Sequence, residues 1–151
     1  MAKTVLFLCD DNSVLSPLAE AYLNALDNGA IRAFSAGLDP APRLAPGVGR
    51  ILSEHGIPAA GLEPKPWELF LLPHAPAPDV VISLAPGVVE RTRRAWSPRT
   101  RTFEWPFAAG PSAGKATGSE AVREAFRSVR RAINRAHDTW LGEADGWRIS
   151  A

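Results

Sequence analysis

The chain has 151 residues, 46% of them hydrophobic, with seventeen basic and sixteen acidic side chains for a formal net charge of +1. That is enough chain for one domain with a sizeable core, and the near-neutral balance excludes an electrostatic footprint for nucleic acid or an anionic membrane. A single cysteine excludes an internal disulfide or a multi-cysteine zinc site, and with no leader pattern and no apolar run of spanning length the expected location is the cytoplasm.

The first element is a continuous apolar run, Val5-Leu6-Phe7-Leu8, as expected of a central parallel strand covered on both faces. It ends at the only cysteine, Cys9, and a polar loop follows: Asp10-Asp11-Asn12-Ser13-Val14-Leu15-Ser16-Pro17. Ser16-Pro17 reads as an N-cap serine with proline at the first helical position. Leu18, Ala19, Tyr22, Leu23 and Leu26 recur at helical spacing, and Asn28-Gly29 predicts the stop. A second strand is predicted over 31–35, running into Ala36-Gly37, and then a proline-rich loop through Asp39-Pro40-Ala41-Pro42. A helix over 46–55 carries Val48, Ile51 and Leu52 on one face and stops at Gly56.

Residues 57–78 hold six prolines, and the only regular structure predicted there is a short helical turn over 67–71. Val80 to Leu84 is a third buried strand, 88–96 a short helix, and 100–105 a fourth strand whose polar content places it nearer an edge. Gly110-Pro111 and Gly114 mark a loop. Thr117 to Glu120 matches a capping box, and the final helix runs to about Leu141 with Val122, Phe126, Val129, Ile133 and Trp140 as its apolar stripe. Alternating strands and helices predict a doubly wound α/β domain with a four-stranded parallel sheet, the first strand central. The expectation is one domain over 1–151, with 141–151 as a C-terminal tail. Sites in such folds lie at the carboxyl ends of strands, here Cys9, Ser35, Leu84 and Trp105.

A strand, a polar loop and a helix start, with a thiol at the strand's end, is a geometry that cradles an oxyanion in backbone N–H groups. The loop's contents oppose it. Two aspartates stand where an anion would arrive, and no arginine closes the loop.

The order of these segments resembles a known family. Val5 to Cys9, Asn12, Ser16-Pro17 and Ala19-Glu20 look like the opening of the low-molecular-weight protein tyrosine phosphatases and their relatives, the thioredoxin-coupled arsenate reductases. Ser35-Ala36-Gly37, Glu54 to Ile57, Asp79 to Leu84, Trp105-Pro106-Phe107 and Gly118 to Arg131 follow in the family's order. The resemblance implies a flavodoxin-like three-layer domain of that phosphatase type. It implies a cysteine thiolate as nucleophile, an arginine six positions after it, and an aspartate general acid before the last helix. Here the first of these is Cys9, the second position is Leu15, and the stretch Trp105 to Pro111 holds no carboxylate. A family glycine is replaced by Asp11. The arginine fork fits the anion and holds the charge that grows in the transition state, which leucine cannot do. Neighbouring carboxylates also predict a thiol that titrates near or above its free value. The two further cysteines of the reductase relay are absent from the chain.

The candidate site is therefore a degenerate cysteine loop. Cys9 is the former or altered nucleophile, Asp10, Asp11, Asn12, Ser13, Val14, Leu15 and Ser16 form the binding loop, and Ser35 supports it. Taken alone, a cysteine at a strand end reads as a small buried apolar residue, Ser16 as a helix cap, and the aspartates as solvated loop carboxylates. His55, His74 and His137 lie on separate segments, so neither a metal nor a cofactor is expected. The arginine run 91–101 reads as a solvated surface able to meet an acidic partner, and Trp67, Trp96 and Trp105 as packing near the top of the sheet. The expected role is a catalytically impaired protein that binds a small anion or a protein partner. The alternatives are altered cysteine chemistry, with Arg43 or Arg94 standing in for the lost arginine, or a phosphocysteine carrier. The oligomeric state is left open by the sequence.

Overall fold

The computed structural model describes residues 3–27, 29–105, 107 and 118–140, with side chains to residue 138. Four strands form one parallel sheet: β1 (Lys3–Cys9), β2 (Ile31–Gly37), β3 (Val80–Ser83) and β4 (Arg101–Glu104), in the order β2-β1-β3-β4. The helices are α1 (Leu15–Leu26), α2 (Val48–Glu54), α3 (Val88–Thr92) and α4 (Ser119–Trp140), with 3-10 turns at Trp67–Leu71 and Arg93–Ala95. This is the expected flavodoxin-like α/β arrangement. Val5, Leu6, Phe7 and Leu8 are all fully buried, so both faces of β1 are covered, as its unbroken apolar run required.

On α1, Leu18, Ala19 and Leu23 are buried as the helical spacing predicts, while Leu26 faces solvent and Leu15 joins the core. The helix begins two residues earlier than the Ser16-Pro17 signal indicates. Val14 holds the cap position, no side chain caps it, and the Leu18 N–H bonds the Val14 carbonyl at 3.1 Å. Ser16 therefore sits inside the first turn, with its hydroxyl released from capping. Val122, Phe126, Val129 and Ile133 of α4 are buried, and α4 meets α1 through the edge-on Tyr22–Phe126 ring pair at 5.9 Å. At the far ends of these helices His137 Nε2 and Asp27 Oδ1 lie 3.0 Å apart. The Asp27 side chain also accepts the Gly29 and Ile31 N–H groups, fixing the turn into β2.

The predicted helix over 88–96 is shorter than its pattern, with α3 ending at Thr92 and tightening into the 3-10 turn. Thr92 bonds its hydroxyl back to the Val88 carbonyl at 3.0 Å, the local competition that weakens hydroxyl residues inside helices. Asn28, Pro106, the 108–117 loop with the expected Thr117 cap, the Trp140 side chain and the 141–151 tail lie outside the described residues.

Candidate functional site

Parallel register sets what stands beside the thiol. Cys9 pairs with Gly37 on β2, Leu8 with Ser83 on β3, and Ser83 with Glu104 on β4. Ser35 pairs with Phe7, two residues below the strand end. Its hydroxyl donates to Glu20 Oε1 at 2.7 Å, so it braces α1 against β2 and the contact with the loop falls to Gly37. A Cβ on Gly37 would lie 3.0 Å from the Asn12 Cβ, the Asn12 nitrogen and the Asp10 carbonyl oxygen. Glycine at this strand end is what lets the loop fold back over β2.

Asn12 occupies the left-handed region at φ 54°, a conformation asparagine tolerates better than most residues. Fully buried, it organises the loop. The Lys65 N–H donates to Asn12 Oδ1 at 2.9 Å, which leaves Asn12 Nδ2 to donate to Ser16 Oγ at 2.8 Å. Ser16 Oγ lies 2.8 Å from Cys9 Sγ, and the Asn12 N–H reaches the same sulfur at 3.2 Å. Because a main-chain N–H can only donate, Lys65 orients the Asn12 amide so that its Nδ2 donates to Ser16 Oγ, whose hydroxyl can accept from the thiol or donate to a thiolate. Ser16 thus acts on the thiol and not as a helix cap.

Electrostatics at Cys9 follow from where it sits. Burial pushes the thiol above its ordinary value, hydrogen bonds from Ser16 and Asn12 pull it down, and Asp11 adds a smaller upward push. The direction agrees with the sequence expectation, but burial is the main cause where the aspartates were expected to be. Asp10 is exposed. Asp11 turns back on its own loop, its Oδ1 accepting the Ser13 hydroxyl at 2.8 Å and the Ser13 N–H at 3.2 Å. Val14 and Leu15 point into the core, Leu15 only 6% exposed.

The loop's carbonyls are taken by the segment that follows β2. Leu38, Asp39, Ala41 and Ala45 donate their N–H groups to the carbonyls of Cys9, Asp10, Asp11 and Ser13 at 2.8–3.2 Å. Arg43 lies exposed on this strap. Behind the loop, Lys65 Nζ reaches the Ser35 and Glu63 carbonyls and stands 3.8 Å from Glu20 Oε1. Burial raises the Glu20 carboxyl above the usual carboxylate range, against the pull of Ser35 and Lys65. Gly37 and Lys65 were missed in the sequence. A glycine ending a strand is a readable signal; a main-chain donor between two prolines is not. Trp105 is buried at the sheet's carboxyl end, edge-on to Phe7 at 5.8 Å. Among the described residues no group of three His, Cys, Asp or Glu side chains comes together as a metal site would need.

A parallel sheet with a cysteine at the end of a central strand, and a loop wound under the next helix, defines the class of α/β cysteine-loop proteins. Residues 4–145 match the family described as low molecular weight phosphotyrosine protein phosphatase, and the chain belongs to that family. It is similar to the glutaredoxin arsenate reductase of Synechocystis sp., with 38% identity over 82 residues. That match covers 54% of this chain and spans 60% of the relative's length. Among solved structures, an arsenate reductase in a phosphate binding state has 28% identity and a TM-score of 0.69, covering 87% of this chain and 94% of that one. A low molecular weight protein tyrosine phosphatase from T. tengcongensis has a TM-score of 0.73 at 19% identity, covering 91% and 99%, a likeness of fold. No helix among the described residues is long and apolar enough to cross a membrane.

Proposed function

We propose that this family member binds a ligand or protein partner and has lost phosphatase and arsenate reductase turnover. The observation that carries the reading is Leu15, at the sixth position after Cys9, with its side chain in the core where catalysis calls for a guanidinium facing the loop. Two features support it. The Asp11 carboxylate already holds the Ser13 N–H and hydroxyl, donors an incoming oxyanion would need, and its charge opposes a second anion. The thiol is buried and raised, so little thiolate is present at neutral pH.

The test is turnover of p-nitrophenyl phosphate, and of arsenate with glutaredoxin or thioredoxin supplied, by the wild type and by Asp11→Gly/Leu15→Arg. The wild type is expected at background. The double variant should gain activity, since one donor to a developing oxyanion is worth about 10²–10³-fold. An ordinary enzymatic rate in the wild type, abolished by Cys9→Ser, overturns the reading.

One observation favours a second reading, retained thiol chemistry with an external thiol as partner. The hydrogen-bonded chain from the Lys65 N–H through Asn12 and Ser16 still ends on Cys9 Sγ, to which the Asn12 N–H donates and the Ser16 hydroxyl could donate once the thiol ionises. Arg43 on the strap is then the candidate cation, and Arg43→Ala would slow Cys9 alkylation at neutral pH if it serves that role.

A further inference from the structure

The strand β2 lies at one edge of the sheet, and its pairing with β1 fixes which of its main-chain groups look outward. The Lys3 N–H meets the Ala30 carbonyl and the Leu38 N–H meets the Cys9 carbonyl, so the even-numbered residues of β2 bond β1. Ile31, Ala33, Ser35 and Gly37 therefore turn their main-chain groups away from the sheet. Such an edge is a template for another strand, and proteins blunt it with proline, a bulge or several charges. Here Ile31-Arg32-Ala33-Phe34-Ser35-Ala36-Gly37 has no proline, one charged side chain and unbroken register with β1.

The helix α1 closes this edge. Asn24 sets its side-chain amide against Ala33 in both directions: Oδ1 accepts the Ala33 N–H at 2.8 Å, and Nδ2 donates to the Ala33 carbonyl at 3.0 Å. That is the pair of bonds a residue of an antiparallel neighbour would make. Three positions on, Asp27 Oδ2 accepts the Ile31 N–H at 2.7 Å; four positions back, Glu20 Oε1 accepts the Ser35 hydroxyl at 2.7 Å. At this spacing Glu20, Asn24 and Asp27 share one face of the helix, so a polar stripe of α1 stands where a further strand would. Lys65 completes the cover, its Nζ donating to the Ser35 carbonyl at 3.1 Å and its own carbonyl accepting the Gly37 N–H at 2.9 Å. Asn24, in the middle of the stripe, is its exposed member.

We infer that the β2 edge is a self-association surface that α1 holds closed through Asn24, and that a second copy of this chain is the strand that fits it. The fit follows from a two-fold axis centred on Ala33. Ala33 would then face its own copy as a hydrogen-bonded pair, exchanging the two bonds that Asn24 now makes, and Arg32 would stand opposite Phe34 of the second copy. Those two side chains already pack within one chain, the Arg32 guanidinium lying 5.4 Å from the Phe34 ring centroid. The inference goes beyond the binding role proposed above and uses none of the chemistry of Cys9.

Sedimentation equilibrium over a range of concentrations tests it on the full chain, for the wild type, Asn24→Leu and Asn24→Leu/Ala33→Pro. Leucine keeps the size of Asn24 and frees both Ala33 groups, so it should tighten self-association at least about tenfold over the wild type. Proline at 33 removes an N–H that β1 does not use and bars a neighbouring strand, so the double variant should return to wild-type behaviour. Amide exchange at Ala33 reads the same event without the proline. In Asn24→Leu it should be faster than in the wild type when the protein is dilute, and slow again as concentration rises. Should Asn24→Leu fail to fold by circular dichroism, Asn24→Asp takes its place, since it keeps the acceptor for the Ala33 N–H and loses the donor. A variant that associates no more than the wild type overturns the inference. Association that survives Ala33→Pro overturns it as well, because another surface would then be responsible, and so does Ala33 exchange indifferent to concentration. Turnover of aryl phosphate bears on none of these outcomes, so the impaired-enzyme reading stands or falls separately.

Discussion

The two sides of the loop 9–16 differ in completeness. Its inner side, where Asn12, Ser16 and the Lys65 N–H converge on sulfur, has each of those polar groups placed and bonded. Its outer side carries Asp10 in water, Asp11 folded onto Ser13, and a leucine where a cation would face an anion. The difference teaches which parts of an anion loop also belong to the fold. Asn12 and Ser16 are fully buried, and removing either leaves buried donors or acceptors unmet. An arginine that faces ligand can be exchanged for a core leucine with no polar group stranded.

The largest effect that would sharpen this contrast is on stability. Asn12→Ala strands the Lys65 N–H and one Ser16 contact and gives up a residue suited to φ 54°, so unfolding free energy should fall by about 2–4 kcal/mol. Asp10→Ala, on the exposed side, should stay within about 0.5 kcal/mol. Urea titrations of the two variants decide it; equal losses would mean that the inner network is no more structural than the outer rim.

A smaller loss is expected from Gly37→Ala. Its Cβ meets the loop backbone at 3.0 Å, an overpacking that costs about 1–3 kcal/mol when surroundings must shift. Since the displaced atoms belong to Asn12 and Asp10, the Cys9 alkylation rate against pH should move as well. A variant that loses stability with an unchanged alkylation profile would uncouple Gly37 from the thiol.

The smallest effect is at alkaline pH. The folded thiol is raised from 9.0, so the native state holds its proton more tightly than the unfolded chain. That contribution is complete below about pH 9 and is lost as pH rises through the folded value, by at most about 1.4 kcal/mol per pH unit. Cys9→Ser lacks this titration, so the difference in urea midpoint between the two proteins should shift between pH 8 and pH 10.5 in the variant's favour. A constant difference would mean that the thiol titrates alike in both states.

Much of the fold was legible because it rests on local patterns. Val5 to Leu8 announced a strand covered on both faces, and the stripe Val122, Phe126, Val129, Ile133 announced the buried face of α4. The Ser16-Pro17 signal misled by two residues because the same serine is drawn to sulfur, a contact made across seven positions. Ser35 was legible as a polar residue on a buried strand, yet its partner is Glu20 and not the loop.

By itself the sequence determined the order and type of the elements, the place of the thiol at a strand's end and the absence of arginine at position 15, since these depend on residue types at fixed spacing. Tertiary structure decided that Asn12 is oriented from Lys65, that Gly37 lies under the loop and that burial more than charge raises the thiol. Those facts arise between segments 25 to 53 positions apart, brought together by parallel pairing and by a proline-flanked stretch whose main chain runs beside β2. No local pattern encodes such a meeting, because the groups that make it are main-chain atoms common to every residue.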